Sequence, residues 1–484
     1  MPAGVFFGGH LYLSCKTVKM FEEKKGATAM KFLKQFTKQE LSWMMYDWAN
    51  SAHSVIVVTL LPIFFDTVAS YTADSVSSIS TWGYATSIAM AIVALAAPFL
   101  GVFGDIRGMR KKLFTFFVVL GVVSVAGLAF TPGMDFTSST AAAGRVSALI
   151  LVLYILSVIG FDASCIYYDA FLTDVTTEDR MDQVSTMGYG LGYIGGSTIP
   201  LLIFLVMNLV GVPMLTCLSV IFALTAVWWL GFSMPLLKNC EQKTGKPYAK
   251  GDVGRSIASV GLTIKEIGQD KPMLVYLLAY FFYIDGVHTI IAMSTTYGTN
   301  LGLDSTGMML ALLLVQVLGL PFCLLYMKLS ARFGARVMVG AGICVYLFIC
   351  VFGYFMQDLW QFWVLAVLCA TSQGGIQALS RSMFGKLIPD KDRAGEFFGF
   401  FDIFGKFSSI IGPTLVGLVS SFMAQRMLAE QGLTAATATA EQIDAINAAS
   451  SPDGILSIIL VIGVGAALYF FVLPRTLTAS ERKI

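Results

Sequence analysis

Apolar positions run almost unbroken along this chain. Twelve stretches, centred near residues 56, 91, 121, 158, 197, 223, 285, 314, 346, 372, 410 and 464, are mostly hydrophobic, each long enough for the roughly 20 residues a helix needs to cross a bilayer core. They lack the alternating ten-residue pattern of membrane strands. The pattern predicts an all-α membrane protein with twelve transmembrane helices. Composition agrees, with 56% hydrophobic residues, 13% charged residues and a mean hydropathy of +0.75, against about 25% charged in soluble domains. A soluble globular protein, a nucleic-acid binder and a disordered scaffold are excluded.

The 32 basic and 30 acidic residues nearly cancel, so their positions carry the information. With both termini placed in the cytoplasm, the inner side collects Lys16 to Lys38, Arg107 to Lys112, Arg180, Lys238 to Lys271, Lys328 to Arg336, Lys386 to Arg393 and the tail, while the outer loops hold only Arg145 and Arg426. Basic flanks set orientation. The expectation is a multi-pass protein with both ends inside, in the plasma membrane if the source is bacterial.

The expected organisation is a tail (1–42), a six-helix bundle (43–236), a linker (237–271), a second bundle (272–474) and a tail (475–484). Within the linker, Ile257 to Ile267 reads as a solvated linker helix or one lying on the membrane surface. Residues 425–453 read as an outer loop with a short surface helix. The run Val5 to Leu13 lacks a preceding basic residue and a cleavage site, so it fails as a signal peptide. The first 29 residues read as an over-extended start, with Met20 or Met30 opening the natural chain. The cysteines show no metal or redox spacing and are expected as free thiols.

The halves resemble each other. Asn50-Ser51-Ala52-His53 answers Asp285-Gly286-Val287-His288 after 235 residues, Asp105-x-x-Gly108-x-Arg110 answers Ala331-x-x-Gly334-x-Arg336 after 226, and Ala170-Phe171 with Arg180 answers Met383-Phe384 with Arg393 after 213. These matches fall on helices one and seven, two and eight, four and ten. Such duplication suits two bundles related by an axis along the membrane normal, with a substrate site between them near mid-membrane and access alternating by rocking.

The loop Gly101-Val-Phe-Gly104-Asp105-Ile-Arg107-Gly108-Met-Arg110-Lys111 resembles the signature loop of the major facilitator superfamily. That resemblance implies that Gly104 and Gly108 allow close packing and turning, while Asp105 sits at a helix N-terminus of the other bundle, where amides favour an anion. Ile106 and Met109 stand where the superfamily usually has Arg, which thins the charge network.

Three further segments, Tyr46-Asp47-Trp48-Ala49-Asn50-Ser51-Ala52, Gly188 to Gly196, and Gly374 to Ser382 continuing through Phe397-Phe398-Gly399-Phe400 to Ser408, resemble the autophagy-related vacuolar amino-acid effluxers and their bacterial relatives. The similarity runs from Trp43 to Leu473 and implies export of amino acids. Gly190-x-Gly192-x-x-Gly195 spells a dinucleotide fingerprint, but that motif requires a strand before it. Inside a membrane helix it reads as a packing face.

An ionisable group at mid-bilayer costs about 2.5–3.5 kcal/mol, so it usually faces a cavity or a partner. Asp47, Asn50 and His53 form a slanted ridge on the first helix. Asp285 and His288 share a face of the seventh and could carry a proton, or each His could simply fix packing. Zinc held by His53, His288 and Asp285 ranks third, since no further ligand is spaced to help. Asp402 and Lys406 are spaced as a helical ion pair: either they neutralise each other, or Lys406 holds a substrate carboxylate. Asp162 is a buried hydrogen-bonding group or a receptor for an amine. Asp169 and Arg381, with Arg180 and Arg393, could latch the bundles on the inner side, so that exchanging Asp169 and Arg381 would restore transport lost in the single changes.

The sum predicts a secondary transporter of a small polar solute, most directly amino acids in efflux, with protons as coupling ion, no cofactor, no metal and a monomer sufficient. Another small organic anion or metabolite is the alternative substrate. A membrane-embedded enzyme would need a clustered catalytic set, a channel or sensor would lack saturable counterflow, and no phosphate-binding motif supports an ATP-driven pump.

Overall fold

A computed structural model describes residues 34–72, 78–247, 252–433, 437 and 439–477. The Val5 to Leu13 run, Met20 and Met30 lie outside the described residues. Among those described, twelve helices are long and apolar enough to cross a membrane: α1 (Lys38–Ala69), α2 (Thr81–Gly104), α3 (Arg110–Gly133), α4 (Thr140–Val175), α5 (Met181–Leu209), α6 (Met214–Asn239), α7 (Lys271–Asn300), α8 (Thr306–Phe333), α9 (Ala335–Tyr354), α10 (Leu359–Leu387), α11 (Lys391–Glu430) and α12 (Glu441–Thr476). A linker helix, Asp252–Gln269, joins α6 to α7.

Several helices begin where the sequence supplies a cap. Thr37 and Glu40 form a reciprocal capping box, which satisfies two amides that α1 would leave open and starts the helix at Lys38 rather than near Trp43. Ser139 caps α4 and Asp304 caps α8. Residues 425–453 differ from the expected loop with a surface helix. Helix Ala394–Glu430 extends into them from one side and helix Ala440–Ala467, opened by a Thr439–Gln442 capping box, from the other.

Each half has its own core. Trp43, Tyr46, Phe114, Phe171 and Trp229 pack in the first, and Tyr276, Tyr283, Tyr346, Phe384 and Tyr469 in the second. One bond recurs in both: the Tyr46 and Ser164 hydroxyls lie 2.6 Å apart between α1 and α4, and those of Tyr283 and Ser380 lie 2.6 Å apart between α7 and α10. The bond joins the same pair of helices in each half, although Tyr283 and Ser380 stand two and three residues beyond the positions that the sequence matches would align with Tyr46 and Ser164.

Between the halves, α2 packs on α11, α5 on α8 and α10, and α4 on α11. Small residues allow this. A Cβ on Gly101 would lie 2.1 Å from the Gly395 carbonyl oxygen, and one on Gly399 would lie 2.5 Å from that of Ala97. In α5, Gly195 receives the Trp48 ring and Gly190 meets Leu320 and Cys323 of the other half. The Gly188 to Gly196 segment is therefore a packing face, with a π-helical turn over Gly192–Thr198.

Candidate functional site

The seam between the halves is polar in three successive layers. The outermost lies at the face that carries the linker. Here Asp105 accepts hydrogen bonds from the backbone N–H of Gly395 (2.7 Å) and Glu396 (2.8 Å), at the start of α11. Its carboxylate also pairs with Arg110 at 2.8 Å, and Arg110, fully buried, pairs with Asp174 at 2.5 Å. Gly108 turns the chain with φ +82°, a conformation that side chains resist, and Gly104 lies against the Tyr167 ring.

The linker is sewn into this layer. Asp174 accepts from the amides of Lys243 and Thr244, Gln242 bridges Gly104 and Gly108, and the Gly245 amide donates to Asp392 of the second half. Two ion pairs close the same face: Lys386 with Asp182 at 2.7 Å and Lys391 with Glu178 at 3.1 Å.

The second layer centres on Arg381 of α10. Its guanidinium donates to Asp169 at 3.0 Å and to Ser185 Oγ at 3.0 Å, and it reaches Asp47 at 3.4 Å. It lies over the rings of Trp43 and Tyr189, both 4.7 Å away, and of Tyr168 at 5.2 Å. Tyr168 in turn donates to Asp47 at 2.8 Å. A planar cation in a cage of rings is held by its faces as well as its edges.

The third layer is Lys406 of α11. Its ammonium bonds Asp162 of α4 across the seam and stands 3.9 Å from Asp402 on its own helix. Asp162 lies about 20 Å from the α4 end at Val175, at 1.5 Å per residue, which places this layer near mid-span. Asp162 Oδ2 and Asp402 Oδ2 are buried with no hydrogen-bond partner.

The remaining candidates face inward within their own halves. Asn50 contacts Cys165 at 3.8 Å. His53 meets Ser157 at 3.2 Å and stacks with Phe161 and Trp229, inside the first core. Asp285 accepts from the Gly412 amide at 2.9 Å, and His288 meets Ser408 at 3.3 Å.

Two sequence expectations are corrected by this geometry. Asp285 and His288 do not pair with each other: residues three apart on a helix point about 60° apart, and here they meet different turns of α11. Arg180 is held by Glu40 at 2.8 Å within the first half, and Arg393 by Glu266 at 2.5 Å and Glu396 at 2.9 Å. Neither joins the Asp169–Arg381 contact, because each finds a carboxylate close to its own helix end. The Asp402–Lys406 pair expected from helical spacing is present at 3.9 Å, and Asp162 of α4 adds a nearer partner that the sequence did not indicate.

Comparison with known proteins decides the family. The family model described as "Vacuole effluxer Atg22 like" matches residues 36–181 and 173–425. The chain belongs to this family. It is 44% identical over 396 residues to an uncharacterized MFS-type transporter, YxiO, of Bacillus subtilis (strain 168), covering 80% of this chain and 90% of that one. Autophagy-related protein 22-1 of Penicillium rubens is 26% identical over 263 residues, covering 49% of this chain and 44% of that protein, so the match spans less than half of the fungal relative. The solved structure of the major facilitator FucP in the outward conformation superposes with a TM-score of 0.62 at 13% identity, over 90% of this chain and 98% of that one. The proton:xylose symporter XylE superposes with a TM-score of 0.56 at 16% identity, over 87% and 93%. The protein is a multi-pass transporter of the major facilitator superfamily.

In this Atg22-like transporter, sequence reading missed Trp43, Tyr168, Tyr189, Asp174, Ser185 and the linker residues Gln242 to Gly245. The aromatics look like core positions, and Asp174 looks like any charge at a helix end. Only the approach of α1, α4, α5 and α10 to one another turns them into a site.

Proposed function

We propose that this transporter exports amino acids by alternating access, coupled to protons, with the linker face cytoplasmic and the seam as its substrate path. The observation that carries the reading is the Lys406–Asp162 pair, an ionic bond between the two halves near mid-span. Charges at that depth are retained where they serve a path or a switch. The amino-acid assignment draws on the effluxer description of the matched family.

The orientation is supported by Arg107, Lys112, Arg180, Lys328, Arg332 and Arg336, which gather on the linker side. That face is closed by Asp105, Lys386 and Lys391, and in this reading opening it to the cytoplasm requires those contacts to break together. Proton coupling is supported by the surplus of carboxylates in the second and third layers of the seam, where Asp47, Asp162, Asp169 and Asp402 face Arg381 and Lys406.

The test is counterflow in proteoliposomes preloaded with mixed amino acids, following each labelled one with and without a pH gradient. Exchange of a subset, lost in Lys406→Ala and altered in His288→Ala, is the expected result. Exchange of none by folded protein would remove the amino-acid reading and leave the fold.

A further inference from the structure

The two fixed cations of the second and third layers of the seam are both committed. Arg381 spends its donors on Asp169, Asp47 and Ser185 and is shut in by three rings. Lys406 is bonded to Asp162 and flanked by Asp402. Neither is left to receive a ligand's carboxylate.

The unmet capacity is of the opposite kind. Asp162 is 2% exposed, and its Oδ2 is a buried acceptor without a donor; the same holds for Asp402 Oδ2. An ionised carboxylate has about four lone-pair sites to fill, and a buried acceptor left unmet is costly. The cluster can be reached: the side chains of Lys406 and Asp402 are 19% and 18% exposed, with Asp162 closed beneath them. Charge points the same way, since in the second and third layers four carboxylates stand against two cations and a further anion would deepen the imbalance.

We propose that Asp162 and Asp402 are the receptor for a ligand's ammonium group, so that the solutes recognised are those with a free protonated amine, with or without a carboxylate. This rests on reading the seam as the substrate path. An ammonium brings three donors and one positive charge, the same chemistry as the Lys406 head already gathered by both carboxylates. It fills the two open oxygens, and by substituting for Lys406 at Asp162 it loosens the bond between the halves without leaving either carboxylate bare.

The experiment uses the purified full chain in lipid nanodiscs and measures equilibrium binding of leucine, tyrosine, glutamine and lysine, each as the free amino acid, the carboxamide and the N-acetyl derivative. For at least one side chain, the free acid and the carboxamide should bind within about threefold of each other, while N-acetylation weakens binding by about tenfold or more. Asp402→Asn, which leaves the Lys406–Asp162 bond in place, should weaken the two amine forms by about tenfold. Binding of an N-acetyl form as tightly as the free acid, with none by the carboxamide, overturns the ammonium assignment and leaves amino-acid transport standing. Binding of no compound by folded protein overturns both.

Discussion

Lys406 of α11 bonds Asp162 of α4, joining the two halves of the transporter across a sequence separation of 244 residues. Asp402, one turn away on the same helix, stands off at 3.9 Å. The pair is therefore an interhelical bond with a helical neighbour, and its loss should be felt in both fold and function.

Lys406→Ala leaves the Asp162 carboxylate buried and unpaired, which typically costs about 3–5 kcal/mol. The double change Asp162→Asn with Lys406→Gln removes both charges and should recover most of that stability while transport stays absent. Thermal unfolding of the solubilised protein, run beside counterflow, separates the two effects. Transport by the double variant at the parent rate would make the pair purely structural.

Arg381→Lys keeps the positive charge but loses the planar fork and the stacking on Trp43 and Tyr189. Because those features distinguish the two side chains, transport should fall by about tenfold or more, with stability lower by about 1–2 kcal/mol. The exchange of Asp169 and Arg381 should not restore activity, since Arg381 also serves Asp47 and Ser185. Parent-like transport in the Lys variant would reduce Arg381 to a simple charge.

Gly101→Leu should push α2 from α11, because a Cβ there already meets the Gly395 carbonyl oxygen at 2.1 Å. Asp105→Asn should weaken the same face by removing the charge that draws the Gly395 and Glu396 amides and Arg110. Both should lengthen the distance between spin labels at the exposed positions Lys112 and Lys328, in a background without native cysteines. An unchanged distance distribution in both would count against a latch at this face.

Gly195→Ala places a methyl 2.1 Å from the Trp48 ring, and overpacking of this kind costs about 1–3 kcal/mol. Gly83→Ala, with nothing within 4 Å of the new atom, should be neutral or stabilise by up to about 1 kcal/mol through helix propensity. Melting temperatures of the two variants test the contrast, and equal shifts would remove the packing role assigned to the α5 glycines.

The chain's apolar runs determined the number and type of its elements, because a lipid core admits only helices of a certain length once backbone polar groups must be satisfied internally. Its rare intramembrane charges were legible for the same energetic reason, so Asp47, Asp162, Asp402 and Lys406 stood out before any fold was known, while Asp169 and Arg381 stood out as helix-end charges suited to a latch. Their partners were not. Helical spacing supplied Asp402 for Lys406, at 3.9 Å, but not the nearer Asp162 that α4 brings, and it suggested His288 for Asp285, to which α11 instead brings the Gly412 amide. Local sequence carries the cost of burying a charge; which group offsets that cost depends on how helices hundreds of residues apart approach, and only the tertiary structure decided that.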